Sequence, residues 1–204
     1  MKLSALPQCY MSMETKLESA NDMTSSDPLA RRLANGDPDA PRELVGRHHV
    51  ELYRYARSLL GDATAAEDAV QEAFSKAFAA LGGYSEERIA SLSLRPWLYR
   101  ITLNVVRNAW RDGGREILVA EMPAGTDERS GAGGEAWMDA LQALGRLSER
   151  QRVAVTLRYL EDLPYAGISA ATGWPENTCK TLVRRGVERL AALLSEESKR
   201  EGVS

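Results

Sequence analysis

Apolar residues recur every three or four positions in two blocks of this chain, and a glycine-rich acidic stretch separates the blocks. No segment alternates apolar and polar residues as a half-buried strand does. The pattern therefore predicts an all-α fold of two small helical domains joined by a flexible acidic linker. In the first block, Ser26-Asp27-Pro28 supplies a cap and a first-position Pro, and Asn35-Gly36 supplies the stop, for one short helix. Leu44, Val45, Leu52, Ala56, Leu59 and Leu60 mark a long helix from about Asp39 to Leu60, with Gly61 at its end. Thr64 and Glu67 read as a capping box for a third helix, whose stripe is Ala66, Val70, Phe74, Phe78 and Leu81 and whose break is Gly82-Gly83. A polar stretch with Ser85, Ser91 and Ser93 leads to a fourth helix, expected from Pro96 to about Asp112. Its core stripe is Leu94, Leu98, Ile101, Val105 and Ala109.

Between Gly113 and Asp139 lie five further Gly, one Pro, six acids and two Arg, a local balance of −4. Periodicity returns at Ala140, Leu141, Leu144 and Leu147, and Ser148 with Gln151 forms a capping box for a helix reaching about Leu160. A short helix from about Pro164 to Ala171 and a last one from about Pro175 to Leu194 follow. The expected division is a disordered tail over 1–26, a domain over 27–112, the linker over 113–138, a second domain over 139–196 and a tail over 197–204.

Several function classes are excluded. The net charge is −3 with 27% charged residues, and no uncharged apolar run approaches the ~18 residues of a membrane span. The first two dozen residues lack a compact apolar core with a cleavage site, which points to a cytoplasmic protein. Cys9 and Cys179 are too far apart in sequence and context to form a disulfide framework or metal cluster. The adjacent His48 and His49 diverge by about 100° around a helix and cannot readily share a metal. No Ser/His/Asp set, Gly-rich phosphate loop or paired-carboxylate pattern is present. The chain is therefore expected to be no enzyme, with no catalytic residue, cofactor, metal or small-molecule substrate.

Three helix faces could carry function. On the fourth helix, Trp97, Arg100, Asn104, Arg107 and Arg111 step by three or four along one side, and Ser91 to Arg111 holds four Arg and no acid. Arg contacts phosphates and base edges, Asn reads bases, and an aromatic ring stacks on an unpaired base, so this face suits opening nucleic acid. A plain solvated Arg face with Trp97 in the core is the competing explanation. In the second block, the helix lengths around Gly173 match a helix-turn-helix. Asn177, Lys180, Thr181, Arg184 and Arg185 would be exposed on its second helix, and Thr178, Leu182, Val183 and Leu190 would face inward. Residues 141–194 carry eight basic and five acidic side chains, although an ordinary three-helix bundle would read similarly. Glu67, Asp68, Gln71 and Glu72 form an acidic face at the start of the third helix, explicable by the macrodipole or by a protein partner.

Three ordered motifs bring these faces together: Ala66-Glu67-Asp68-Ala69-Val70-Gln71-Glu72-Ala73-Phe74, Trp97-Leu98-Tyr99-Arg100-Ile101 with Asn104, and Leu147-Ser148-Glu149-Arg150-Gln151-Arg152. They resemble the signatures of bacterial RNA polymerase sigma factors of the extracytoplasmic-function (ECF) group in the sigma-70 family, which keep only the second and fourth conserved regions. The run from Leu157-Arg158-Tyr159 through Tyr165, Ile168, Gly173, Pro175, Thr178, Lys180 and Arg185 to Leu190 resembles the fourth region without a gap.

The resemblance implies a transcription initiation factor that binds core RNA polymerase and directs it to promoter DNA. It gives Glu67, Asp68, Gln71 and Glu72 to core-polymerase docking. It gives Trp97, Arg100, Asn104, Arg107 and Arg111 to the minus-ten element, and Asn177, Lys180, Thr181, Arg184 and Arg185 to the minus-35 element. It also implies an anti-sigma factor as partner and an acidic linker that threads the polymerase cleft. The stretch Gly82 to Arg95 is longer than the family pattern, the helix from Pro164 has Ala166 and Gly167 where acids are usual, and Gly186 interrupts the recognition helix. A free-standing helix-turn-helix regulator, or a polymerase- or inhibitor-binding protein that has lost promoter binding, are the alternatives.

Overall fold

The computed structural model describes residues 27–112 and 134–201, and among these every regular element is helical. The expected tail over 1–26, most of the expected linker (113–133) and residues 202–204 lie outside the described residues. Helix α1 (Pro28–Ala34) is capped as its sequence predicts. The Asp27 carboxylate accepts from the Leu29 amide at 3.0 Å, Pro28 occupies the first turn, and Asn35 ends the helix. Helix α2 (Ala40–Leu60) stops at Gly61, whose φ of +76° is open to glycine at little cost.

Helix α3 (Ala63–Gly82) departs from expectation at its start. The cap is Asp62, which accepts from the Ala65 amide at 2.7 Å, and Thr64 is already helical. Asp62 follows Gly61 directly, so the chain leaves one helix and enters the next with the better capping residue in place. A short helix, α4 (Glu86–Ala90), lies within the stretch expected to be irregular, with the Ser85 hydroxyl accepting from the Arg88 amide at 3.3 Å. Helix α5 (Leu94–Asp112) begins two residues before Pro96, because Pro in a first turn removes an amide that has no intrahelical partner anyway.

The second group comprises α6 (Gly134–Gly145), α7 (Glu149–Val155), a π-helical turn (Thr156–Leu160), α8 (Tyr165–Thr172) and α9 (Glu176–Glu201). Both outer limits differ from the expected domain. Helix α6 starts inside the predicted linker, since Trp137 extends the Leu141 and Leu144 stripe backward by one turn. Helix α9 continues past Leu194 because no breaker occurs before Gly202. Gln151 Oε1 accepts from the Ser148 amide at 3.3 Å, as the capping-box spacing predicts.

The two groups do not stand apart as separate bundles. One buried cluster runs from Leu44, Leu52, Tyr55, Leu59, Val70, Phe74, Leu98 and Leu103 into Val153, Leu157, Leu163, Ile168, Ala171 and Cys179. Helix α5 packs on α2 and α3 of its own group and on α8 of the other. The reason lies in α5 itself. Beside the predicted stripe, of which Ala109 is in fact exposed and Ile101 half-buried, it buries a second stripe at Tyr99, Leu103 and Val106. A helix apolar on two sides needs a second layer.

Candidate nucleic-acid interface

The basic face of α5 forms as its periodicity predicts: Arg100, Asn104 and Arg111 are exposed, while Trp97 and Arg107 are half-buried. Trp97 packs against the core, as the competing explanation supposed, yet it also stays reachable at the edge of the face. Its ring lies 6.4 Å from that of Tyr84, and the Arg88 guanidinium sits 3.7 Å above the Tyr84 ring. The long stretch after Gly82 thereby adds an aromatic and cationic shoulder to the face.

The helix-turn-helix is built around Gly173, whose φ of +76° turns the chain at the end of α8. Side chains fix this turn. Ser169 Oγ donates to the Trp174 carbonyl at 2.6 Å, and the Trp174 amide donates to Thr172 Oγ1 at 3.2 Å. The amides of Thr178 and Cys179 donate to the Pro175 carbonyl, so Pro175 rather than Asn177 stands at the cap of α9. Asn177, Lys180, Thr181, Arg184 and Arg185 are all exposed on α9, and Val183 is buried with Thr178, Leu182 and Leu190 half-buried. Gly186 has a structural reason: a Cβ there would lie 2.5 Å from Val155 Cγ2, so α9 crosses α7 too closely for any side chain. Arg184 donates to Glu188 one turn on at 2.6 Å, an exposed pair that phosphate can displace.

On α3, Asp68, Gln71 and Glu72 are exposed and Glu67 is half-buried. Glu67 Oε1 lies 3.2 Å from His49 Nε2, and Glu72 pairs with Lys76 at 2.8 Å. His48 points elsewhere, into the core beside Glu51. No metal-binding group of side chains occurs among the described residues.

The contact between the two groups carries polar chemistry that motif reasoning missed. The Glu161 side chain is wholly buried. Its oxygens accept from Arg54 Nε at 3.0 Å, Arg54 Nη2 at 2.8 Å and the Tyr99 hydroxyl at 2.6 Å. Burial and the neighbouring Glu161 charge push the Tyr99 phenol well above its ordinary range, so it remains a donor. Arg95 donates to the Glu161 carbonyl at 2.6 Å and to Glu51 at 2.9 Å. Arg152, 3% exposed, donates to the carbonyls of Leu144, Gly145 and Leu147 and, across the contact, to Leu59 at 2.9 Å. In sequence Glu161 is merely one acid among five, and nothing in its spacing marks it.

Comparison with known proteins places both groups. The family described as Sigma-70 region 2 matches residues 44–116, and that described as Sigma-70, region 4 matches residues 137–190. The chain is 30% identical over 183 residues to the RNA polymerase sigma factor NccH of Alcaligenes xylosoxydans xylosoxydans, covering 85% of this chain and 96% of that protein. It is 27% identical to the ECF RNA polymerase sigma factor SigW of Bacillus subtilis, over 78% of this chain and 91% of that one. Among solved structures, the sigma factor RpoE in complex with the anti-sigma factor NepR from Bartonella quintana superposes with a TM-score of 0.60 at 27% identity. That match covers 77% of this chain and 98% of the other.

Proposed function

Because the chain belongs to the sigma-70 family of RNA polymerase sigma factors, in its ECF group, we propose that it performs the family's task with three separate helix faces and no catalytic residue of its own. It is a transcription initiation factor that directs core RNA polymerase to promoters. In our reading, Glu67, Asp68, Gln71 and Glu72 on α3 dock on the polymerase. Trp97, Arg100, Asn104, Arg107 and Arg111 on α5 engage the minus-ten element and capture bases of the opening strand. Asn177, Lys180, Thr181, Arg184 and Arg185 on α9 read the minus-35 element in the major groove. The boundaries that fit these roles are residues 27–112 for the first domain and 134–201 for the second, with 113–133 joining them. A cytoplasmic location, an anti-sigma partner and the absence of enzymatic activity belong to the same reading.

The observation that carries it is that these faces stand at the surface of α3, α5 and α9, with Glu67, Trp97 and Arg107 half-buried and the other named positions exposed. Charge supports the division of labour. A protein of net charge −3 with two local basic faces gains little from counterion release, so it depends on a partner to bring both faces to one promoter.

The test is size-exclusion co-elution with core RNA polymerase, comparing wild type with the double charge reversal D68R/E72R. Both positions are exposed, so the variant is expected to keep its helical circular dichroism and lose co-elution. Failure of the wild type to bind at low salt would leave a free-standing DNA-binding regulator as the better reading.

A further inference from the structure

We infer that the junction of the two groups holds an anion site for closely spaced phosphates, formed by Arg100 and Arg107 of α5 and Arg150 of α7 around the indole of Trp174. The site goes beyond the promoter reading above: α5 lends two of the cations, and the third, Arg150, belongs to none of the three faces.

Trp174 follows Gly173 in the turn between α8 and α9 and packs half-buried against the shared core. Ser169 and Thr172 fix its backbone, and the core fixes its ring. The Arg150 guanidinium lies 4.8 Å from the centre of that ring and the Arg107 guanidinium 5.8 Å from it. Arg100 joins them from two turns earlier on α5, where a Cβ on Gly173 would stand 3.9 Å from Arg100 Nη2. Two helices and a turn thus bring three guanidiniums to the rim of one aromatic ring.

Cations gathered this closely repel one another, and the π face of the ring offsets only part of that. Elsewhere the chain supplies a carboxylate: Arg32 pairs with Asp37, Arg54 with Glu161 and Arg95 with Glu51. Among the described residues no carboxylate pairs with Arg100, Arg107 or Arg150, although Glu149 and Glu176 stand near them in the chain. Nor does Arg150 serve its own helix. It stands in the first turn of α7, where the helix dipole opposes a cation. Arg100 and Arg150 are exposed and Arg107 is half-buried, so an anion reaches all three without disturbing the core.

The ligand class follows from the chemistry of the group. Guanidinium presents paired N–H donors that match the oxygens of a phosphate. Two such forks within 5.8 Å of one ring centre, with a third beside them, suit a ligand whose negative charges are equally crowded. Two or three linked phosphates, free or carried by a nucleoside, meet that requirement. Because the cations come from both groups, binding draws on the assembled junction and stabilises the chain as a whole.

The experiment titrates tripolyphosphate, without added metal, into the full chain at physiological salt by isothermal calorimetry. Wild type is expected to bind it saturably and to gain thermal stability as the ligand rises. Arg150→Gln and Arg107→Gln, one from each group and both checked for helicity by circular dichroism, are each expected to weaken binding roughly tenfold through loss of a charge-assisted contact. Arg189→Gln removes an equal charge from an exposed position of α9 outside the site and should bind as wild type does. Adenosine triphosphate, run in parallel, distinguishes the sources: affinity equal to tripolyphosphate assigns the site to phosphates alone, and clearly tighter binding that Arg150→Gln weakens assigns it to nucleotides. No saturable binding by wild type, indifference to either Arg150 or Arg107, or an equal loss in Arg189→Gln would overturn the site. Co-elution of Arg150→Gln with core polymerase is read separately and is expected to match wild type, so a phosphate site that fails leaves the initiation-factor reading standing.

Discussion

Residues 27–112 build most of their core from their own helices, whereas residues 134–201 keep only Leu144, Leu147 and Val155 as a separate buried cluster. Val153, Leu157, Leu163 and Ile168 of the same stretch join the core of the first group. The difference follows from size and composition. A helical unit of some 60 residues buries only about 60% of its unfolded surface, and this one spends part of its helical surface on the exposed cationic row of α9. It completes its burial against a neighbour. The first group can afford an exposed face on α5 because α2 and α3 cover the opposite side.

Leu157→Ala gives the sharpest way to break this contrast. Leu157 is 0% exposed at the junction, and truncating a buried Leu costs about 2–5 kcal/mol. In a chain of this size each kcal/mol lowers Tm by roughly 2–4 °C. If the core is shared, calorimetry of the variant should show one transition displaced downward as a whole. A split thermogram, in which only a minor transition moves, would mean that the groups fold independently and touch only in passing.

Gly186→Ala probes the second group alone and should have a smaller effect. The added Cβ meets Val155 Cγ2 at 2.5 Å, and overpacking of this kind costs about 1–3 kcal/mol. The companion variant Gly186→Ala with Val155→Ala vacates that space and should recover much of the loss in chemical denaturation, despite the burial that Val155 gives up. If the double variant is no better than the sum of the singles, the close crossing of α7 and α9 is not what requires glycine.

These two positions also show what sequence periodicity can and cannot convey. The stripes of α2, α3 and α9, the Gly61 and Gly173 stops and the exposure of Lys180, Arg184 and Arg185 were all legible, because spacing along one helix determines which side chains share a face. The site faces were legible for the same reason. The closed arrangement was not. Tyr99, Arg54 and Glu161 come from three elements up to 107 positions apart, and their meeting depends on a π-helical turn that no residue pattern announces. Gly186 looked like a defect of about 1 kcal/mol in a helix, since its function lies in the helix it crosses. Thr64 misled for a local reason: Asp62, a better cap, stands two residues earlier.

The smallest effect is expected at Asp162, and it separates two ways in which the second group could be held. Its side chain is exposed, and its φ of +50° is tolerated by Asp at a modest cost that Gly would remove. Gly in turn loses more conformational freedom on folding, by roughly 0.5–1 kcal/mol, so Asp162→Gly should change stability by no more than about 0.5 kcal/mol in either direction, read by urea denaturation. Its scattering profile should match wild type if the Glu161 carboxylate holds the groups together, because that side chain and its partners are untouched. Should Asp162→Gly enlarge the scattering profile, stiffness of the turn rather than the buried ion pair would be what joins the self-sufficient group to the dependent one.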